Sequence, residues 1–147
     1  MLLDGDHLRH GLCGDLGFSE KGRSENIRRA GEVARLFFEA GHIVICTFIS
    51  PFVQDRQFVR SLFPEGHFFE IHVKCDLEVC KRRDPNGLYK KALKGEIAEF
   101  TGVSSPYEEP FDPEIILETE LQSVDQSVVS ILHYLKQTEI IPQSDYT

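Results

Sequence analysis

The chain has 147 residues, 41% of them hydrophobic and 27% charged, with 16 basic against 24 acidic side chains and a formal net charge of −8. That length suits one globular domain around a single core and leaves no room for a multidomain enzyme within these residues. Charge is uneven: residues 1–94 carry 15 basic and 13 acidic groups, residues 95–147 carry 1 and 11. This excludes a nucleic-acid polymer as partner and favours a small anionic ligand near the basic clusters at 23–35 and 81–94. Taken alone, such clusters read equally well as solvated helix faces. No apolar run reaches the roughly 18 residues of a membrane span, and Asp4 interrupts Met1-Leu2-Leu3 too early for a signal peptide. A cytoplasmic protein with no membrane partner is expected. Cys13, Cys46, Cys75 and Cys80 show no C-x-x-C pair and read as reduced, structural thiols.

The predicted elements alternate strand and helix. Leu2-Leu3 is a short strand that runs into Asp4 and Asp6. Residues 24–40 place Ile27, Ala30, Gly31, Ala34, Phe37 and Phe38 on one helical stripe, and Gly41 follows as a stop. The run from His42 to Ile49 is β-branched and apolar without alternation, which predicts a strand buried on both faces. A helix over Val53 to Phe63, a strand over Phe68 to Val73 and a short helix over Leu77 to Arg83 come next. Asp84-Pro85-Asn86-Gly87 marks a turn. The stretch from Lys90 to Pro113 is polar and reads as irregular, and Ile115-Ile116-Leu117 reads as a strand. A final helix begins at Ser123, with Gln126 completing a capping box and Val124, Val128, Ile131, Leu132 and Leu135 on one face. The pattern predicts an α/β fold with a parallel sheet wrapped by helices over residues 1–141, and a loose tail over 142–147.

In such folds ligands bind outside the carboxyl ends of the strands, which directs attention to three places. Asp4 and Asp6 are spaced to share one face of extended backbone and could hold Mg²⁺ through water or take a proton from a hydroxyl. The alternative is a plain Asp-Gly turn. Ser50, before Pro51, could donate to a phosphate or merely cap a helix. The basic stretch from Lys81 to Lys91 could close over phosphates as a lid, or be a surface helix.

Together the words "LLDGDHLRHGL", "DLGFSEKGRSENIRRAGEVARLF", "TFISPF", "RRDPNGLYKKALKGEIAEFTG" and "SPYEEP" stand in the order and approximate spacing of the adenylylsulfate kinase family, which the sequence resembles from residue 2 to about 135. The resemblance implies a three-layer P-loop kinase-like fold. It also implies transfer of the terminal phosphoryl group of ATP, with Mg²⁺, to the 3′-hydroxyl of adenylyl sulfate, giving 3′-phosphoadenylyl sulfate for sulfate assimilation. Asp4 and Asp6 match carboxylates beside the hydroxyl and metal, with Asp4 toward the metal and Asp6 as candidate base. Ser50 matches the serine after the central strand and is grouped with the catalytic residues. Arg9, Arg23 and Asn26 match residues that bind the phosphosulfate, Phe18 and Phe100 the clamp on adenine, and Arg83 and Lys90 the lid over ATP. These roles suit the chemistry, because guanidiniums offer paired donors to a compact dianion and phenyl faces stack on a purine. Homodimers and association with an ATP sulfurylase are arrangements the resemblance brings with it.

One family feature has no match: no G-x-x-x-x-G-K-[ST] occurs in the 147 residues. The family carries this phosphate loop ahead of the DGD word. The expectation is that the first strand, loop and helix, roughly 30 residues of a βα unit, lie outside this chain, which would then lack the cradle for ATP. Two readings follow. One is an adenylylsulfate kinase that works only with its amino-terminal loop. The other is a non-catalytic, adenylyl-sulfate-binding pseudo-kinase or regulatory module.

Overall fold

The structure, a computed structural model, describes residues 1–142, so positions 143–147 of the expected tail lie outside the described residues. The described chain divides into two compact units, one of residues 1–68 and 85–109 and the other of residues 69–84 and 110 onward.

In the first unit, strand β1 (Leu2–Asp4) pairs in parallel with β2 (Ile45–Thr47), Leu3 opposite Cys46. Helix α1 (Gly5–His10) follows β1 directly, and α2 (Glu20–Glu39) is the longest element. The Ser19 hydroxyl caps α2 by accepting the Gly22 amide at 3.2 Å. At the other end Gly41 takes φ +83°, its N–H donates to the Phe38 carbonyl, and the His42 N–H donates to that of Phe37. That pair of bonds is the Schellman stop, which needs a residue free to be left-handed. The predicted stripe buries Ile27, Ala30, Gly31 and Ala34. It packs on α3 (Val53–Ser61), where a Cβ on Gly31 would lie 2.9 Å from a Val59 methyl carbon, so only glycine lets the helices approach this closely. Helix α5 (Leu88–Leu93) completes the unit and buries Ala92.

In the second unit β3 (Ile71–Lys74) and β4 (Ile115–Glu118) pair in parallel, Val73 opposite Leu117. Helix α4 (Leu77–Arg83) is capped by the Asp76 carboxylate, and α6 (Val124–Gln137) carries the full Ser123–Gln126 capping box. Ile115 and Leu117 are buried and Ile116 and Glu118 exposed, the alternation of a strand covered on one face.

Several expectations need correction. The strand expected over His42 to Ile49 and buried on both faces is only Ile45–Thr47, and all three of its residues are exposed. Its one ladder, to β1, satisfies one edge, and no other strand lies against it among the described residues. Among the described residues the strands pair as two ladders of two, β1 with β2 and β3 with β4. The strand expected over Phe68 to Val73 begins only at Ile71. Helix α5 runs into the stretch expected to be irregular, taking in its first residues from Lys90 to Leu93: the left-handed Gly87 at φ +67° ends the preceding turn and lets Leu88–Leu93 coil. On α6 the apolar stripe is largely open, with Val124 78% exposed and Leu132 44%. Of the four thiols, only Cys13 is buried.

Candidate active site

Every residue singled out from the sequence except Arg83 falls in the first unit. Phe18 precedes the cap of α2 and its ring is 55% exposed, so it is not core. The last turn of α1 delivers Arg9, whose guanidinium carbon lies 4.4 Å from the Phe18 ring centroid while Nη1 donates to the Gly17 carbonyl at 3.1 Å. Arg23, one turn into α2, is buried and lies 5.6 Å from the same centroid. Its Nε donates to the Phe18 carbonyl at 2.8 Å and its Nη2 to the carbonyl of Glu99. Arg23 therefore ties the segment bearing Phe18 to the segment bearing Phe100. The resemblance gives Arg23 to an anion, yet two of its three nitrogens serve backbone oxygens, and Nη1 is the one left for a ligand. Burial and the like charge of Arg9 pull its pKa down, a sign that positive potential accumulates here. Asn26 sits one turn farther along the same face. It is 4% exposed, and its Oδ1 has no hydrogen-bond partner.

Phe100 is fixed through its backbone. Its N–H donates to Ser104 Oγ at 3.0 Å, and its carbonyl accepts the amides of Val103, Ser104 and Ser105. The half-buried ring meets Tyr89 of α5 edge-on, centroids 5.0 Å apart at 72°. Lys90 is the next residue of α5. Arg83, in the second unit, donates from Nη2 to the Thr119 carbonyl at 2.7 Å.

The pairing of Asp4 and Asp6 on one extended face is not what forms. The chain coils at Gly5, so Asp4 is the N-cap of α1 and Asp6 lies in its first turn. Asp4 Oδ1 accepts the amides of Asp6 and His7, and Oδ2 accepts the Thr47 hydroxyl at 2.9 Å. The Thr47 hydroxyl and the His7 amide hold its carboxyl below the usual range, and it stays ionised. The described residues hold no group of three or more metal-ligating side chains. A Mg²⁺ arriving with a nucleotide would take its ligands mainly from phosphate oxygens and water, and the ionised Asp4 fits as its protein neighbour.

Ser50 adopts φ +41°, the left-handed region that non-glycine residues avoid. Arg56, itself buried, holds the turn by donating to the Ser50 carbonyl at 2.6 Å and to that of Glu108 at 2.8 Å. Glu108 in turn accepts the Val53 amide at the start of α3, and its own N–H donates to the Pro51 carbonyl. Sequence reasoning missed Arg56 and Glu108. The one available signal was that "SPYEEP" belongs to the family words while no ligand role was assigned to it. Elsewhere on α2, a shallow hollow of about 340 Å³ is lined by Lys21, Ser24, Glu25, Arg28 and Phe58. Arg28 pairs there with Glu25 and Ser24 with Asp55, and no assigned residue lies in it.

Comparison with known proteins gives the family. The family model described as adenylylsulphate kinase matches residues 1–118. An adenylyl-sulfate kinase of Marinobacter nauticus is 58% identical over 140 residues, covering 95% of this chain and 70% of that protein. One of Oceanobacillus iheyensis is 55% identical over 139 residues, again covering 95% and 70%. The solved structure of the Mycobacterium tuberculosis APS kinase CysC in complex with AMPPNP and APS superimposes with a TM-score of 0.87 at 43% identity, covering 92% of this chain and 79% of that one. The α/β architecture with parallel strands is thus that of a P-loop kinase, and the chain belongs to the adenylylsulfate kinase family of phosphotransferases.

Proposed function

We propose that the chain is a kinase that moves the γ-phosphoryl group of ATP to the 3′-hydroxyl of adenylyl sulfate, yielding 3′-phosphoadenylyl sulfate in the cytoplasm. The carrying observation is the cluster at the start of α2: an exposed Phe18 ring flanked by Arg9 and Arg23, above a buried Asn26 whose Oδ1 has no partner. A flat apolar face beside two guanidiniums suits a purine joined to a compact anion. A buried unpaired oxygen is the kind of group that a ligand donor satisfies.

In this reading Arg9 and the free Nη1 of Arg23 bind the phosphosulfate, and Phe18 with Phe100 bind the adenine. Asp6 takes the proton as the 3′-oxygen forms its new bond to phosphorus and the bridging bond to the β-phosphate breaks, releasing ADP. Ser50 lies at the turn held by Arg56, Asp4 keeps its negative charge near the metal, and Arg83 and Lys90 belong to the cover over ATP. Mg²⁺ bound with ATP would neutralise developing charge on the phosphates. A homodimer and association with an ATP sulfurylase remain part of the proposal on resemblance alone. A second reading, a non-catalytic module that binds adenylyl sulfate, uses the same site and differs only in turnover.

Calorimetric titration of the chain with adenylyl sulfate tests the site common to both readings. Binding is expected, and Phe18→Ala should weaken it by about 1–3 kcal/mol, the range for one base stacked on an aromatic ring. An unchanged affinity for that variant would remove Phe18 from the site and the carrying observation with it.

A further inference from the structure

We infer that Tyr89 is a positioning residue for the acceptor site, acting through the ring of Phe100. This rests on the reading that Phe100 stacks on the adenine. The backbone around Phe100 has little freedom. Its amide and carbonyl bond within the turn to Ser105, and the preceding Glu99, at φ +53°, has its carbonyl held by Arg23. What the backbone leaves undetermined is the plane of the ring, because the outer torsion of a phenylalanine is broad. A stacking surface needs that plane set before the ligand arrives, since ordering it on binding costs affinity.

Tyr89 supplies the constraint. Its ring meets Phe100 edge to face, an arrangement the quadrupoles of both rings favour. Tyr89 is itself anchored in the first turn of α5, whose Ala92 one turn later is buried. An edge-on neighbour fixes the orientation of a ring without covering both of its faces, so Phe100, half-buried, keeps surface for a base. The contact is between the two rings, so phenylalanine at position 89 would keep it while alanine or leucine would not.

The test is a double-mutant cycle read by titrating the full chain with adenylyl sulfate, each variant's fold checked by its circular dichroism and unfolding midpoint. Tyr89→Ala is expected to weaken binding by roughly three- to tenfold, the scale of one aromatic pair. Tyr89→Phe should stay within about twofold of the parent on the same scale. In a Phe100→Ala background, Tyr89→Ala should cost nothing further, which a general loss of structure would not reproduce. Tyr89→Leu, which keeps apolar bulk on α5, gives the same comparison if the alanine variant fails to fold. An equal loss with or without Phe100 would overturn the positioning role while the acceptor reading stands, and so would full affinity in Tyr89→Ala and Tyr89→Leu. Full affinity in Phe100→Ala alone would overturn both.

Discussion

The carboxylate of Asp4 accepts two amides at the head of α1 and the hydroxyl of Thr47 on the paired strand, so it links β1, α1 and β2 as well as carrying charge. Substitution separates these roles. Asparagine keeps the capping oxygen but not the charge that the fold favours, so Asp4→Asn should lower the thermal unfolding midpoint slightly and Asp4→Ala lower it more. Equal midpoints for both would mean that the cap contributes nothing. Glu25 shows the pH side of the same physics. Hydrogen bonds from Arg28 and then Arg29 hold its carboxyl down to about 2 from an ordinary 4.5. A depressed carboxylate adds stability that is fully present above its unfolded pKa and is lost as pH falls through the folded one. Glu25→Gln should therefore be less stable than the parent at pH 6, and the gap should close as both are taken from about pH 4.5 toward pH 2. The pair is exposed, so added salt should narrow the gap at pH 6 as well. Cys13 needs no such chemistry: burial pushes its thiol up against the opposing pull of Arg29 and Arg9, which leaves it a small hydrophobe.

Among the elements, the packing of α2 on α3 gives the sharpest expectation. Alanine in place of Gly31 would gain up to about 1 kcal/mol in helix propensity, but its Cβ would meet the stiff side chain of Val59 at 2.9 Å and Leu62 at 3.2 Å. Overpacking of this kind costs about 1–3 kcal/mol, so Gly31→Ala is expected to lower stability in urea by roughly 1 kcal/mol. A gain would show that α3 yields freely. Helices α2 and α6 were legible from their signals: a periodic apolar stripe in each, a capping serine at the start of α6 and a glycine stop after α2, although the stripe marks α2 only from residue 24, inside its start at Glu20. Helices α1 and α5, six residues each, are too short to display a period. Their starts depend on Asp4 turning back to cap and on Gly87 taking positive φ, which composition does not announce. The apolar run from His42 to Ile49 misled because it reports the capacity to be buried, whereas burial itself depends on what covers the strand.

At the scale of the whole molecule, the residues proposed for the acceptor stand out in the sequence because they are side chains set in unusual words. The network that holds them does not, because Arg23 and Arg56 act on the carbonyls of Phe18, Glu99, Ser50 and Glu108, and a backbone oxygen has no sequence identity. That distinction also bears on turnover. Arg9, Phe18, Arg23, Asn26 and Phe100 lie in one unit with their supporting bonds, so adenylyl sulfate should bind to the 147 residues as they stand. Phosphoryl transfer asks for more. It proceeds almost entirely by positioning and by stabilising charge on the transferred group, and the usual means is a glycine-rich loop of amides with a lysine, a pattern these residues do not contain. The expected outcome is that the 147-residue chain binds adenylyl sulfate with no measurable formation of 3′-phosphoadenylyl sulfate from Mg·ATP. Turnover by the 147 residues alone would show that their own side chains hold the triphosphate.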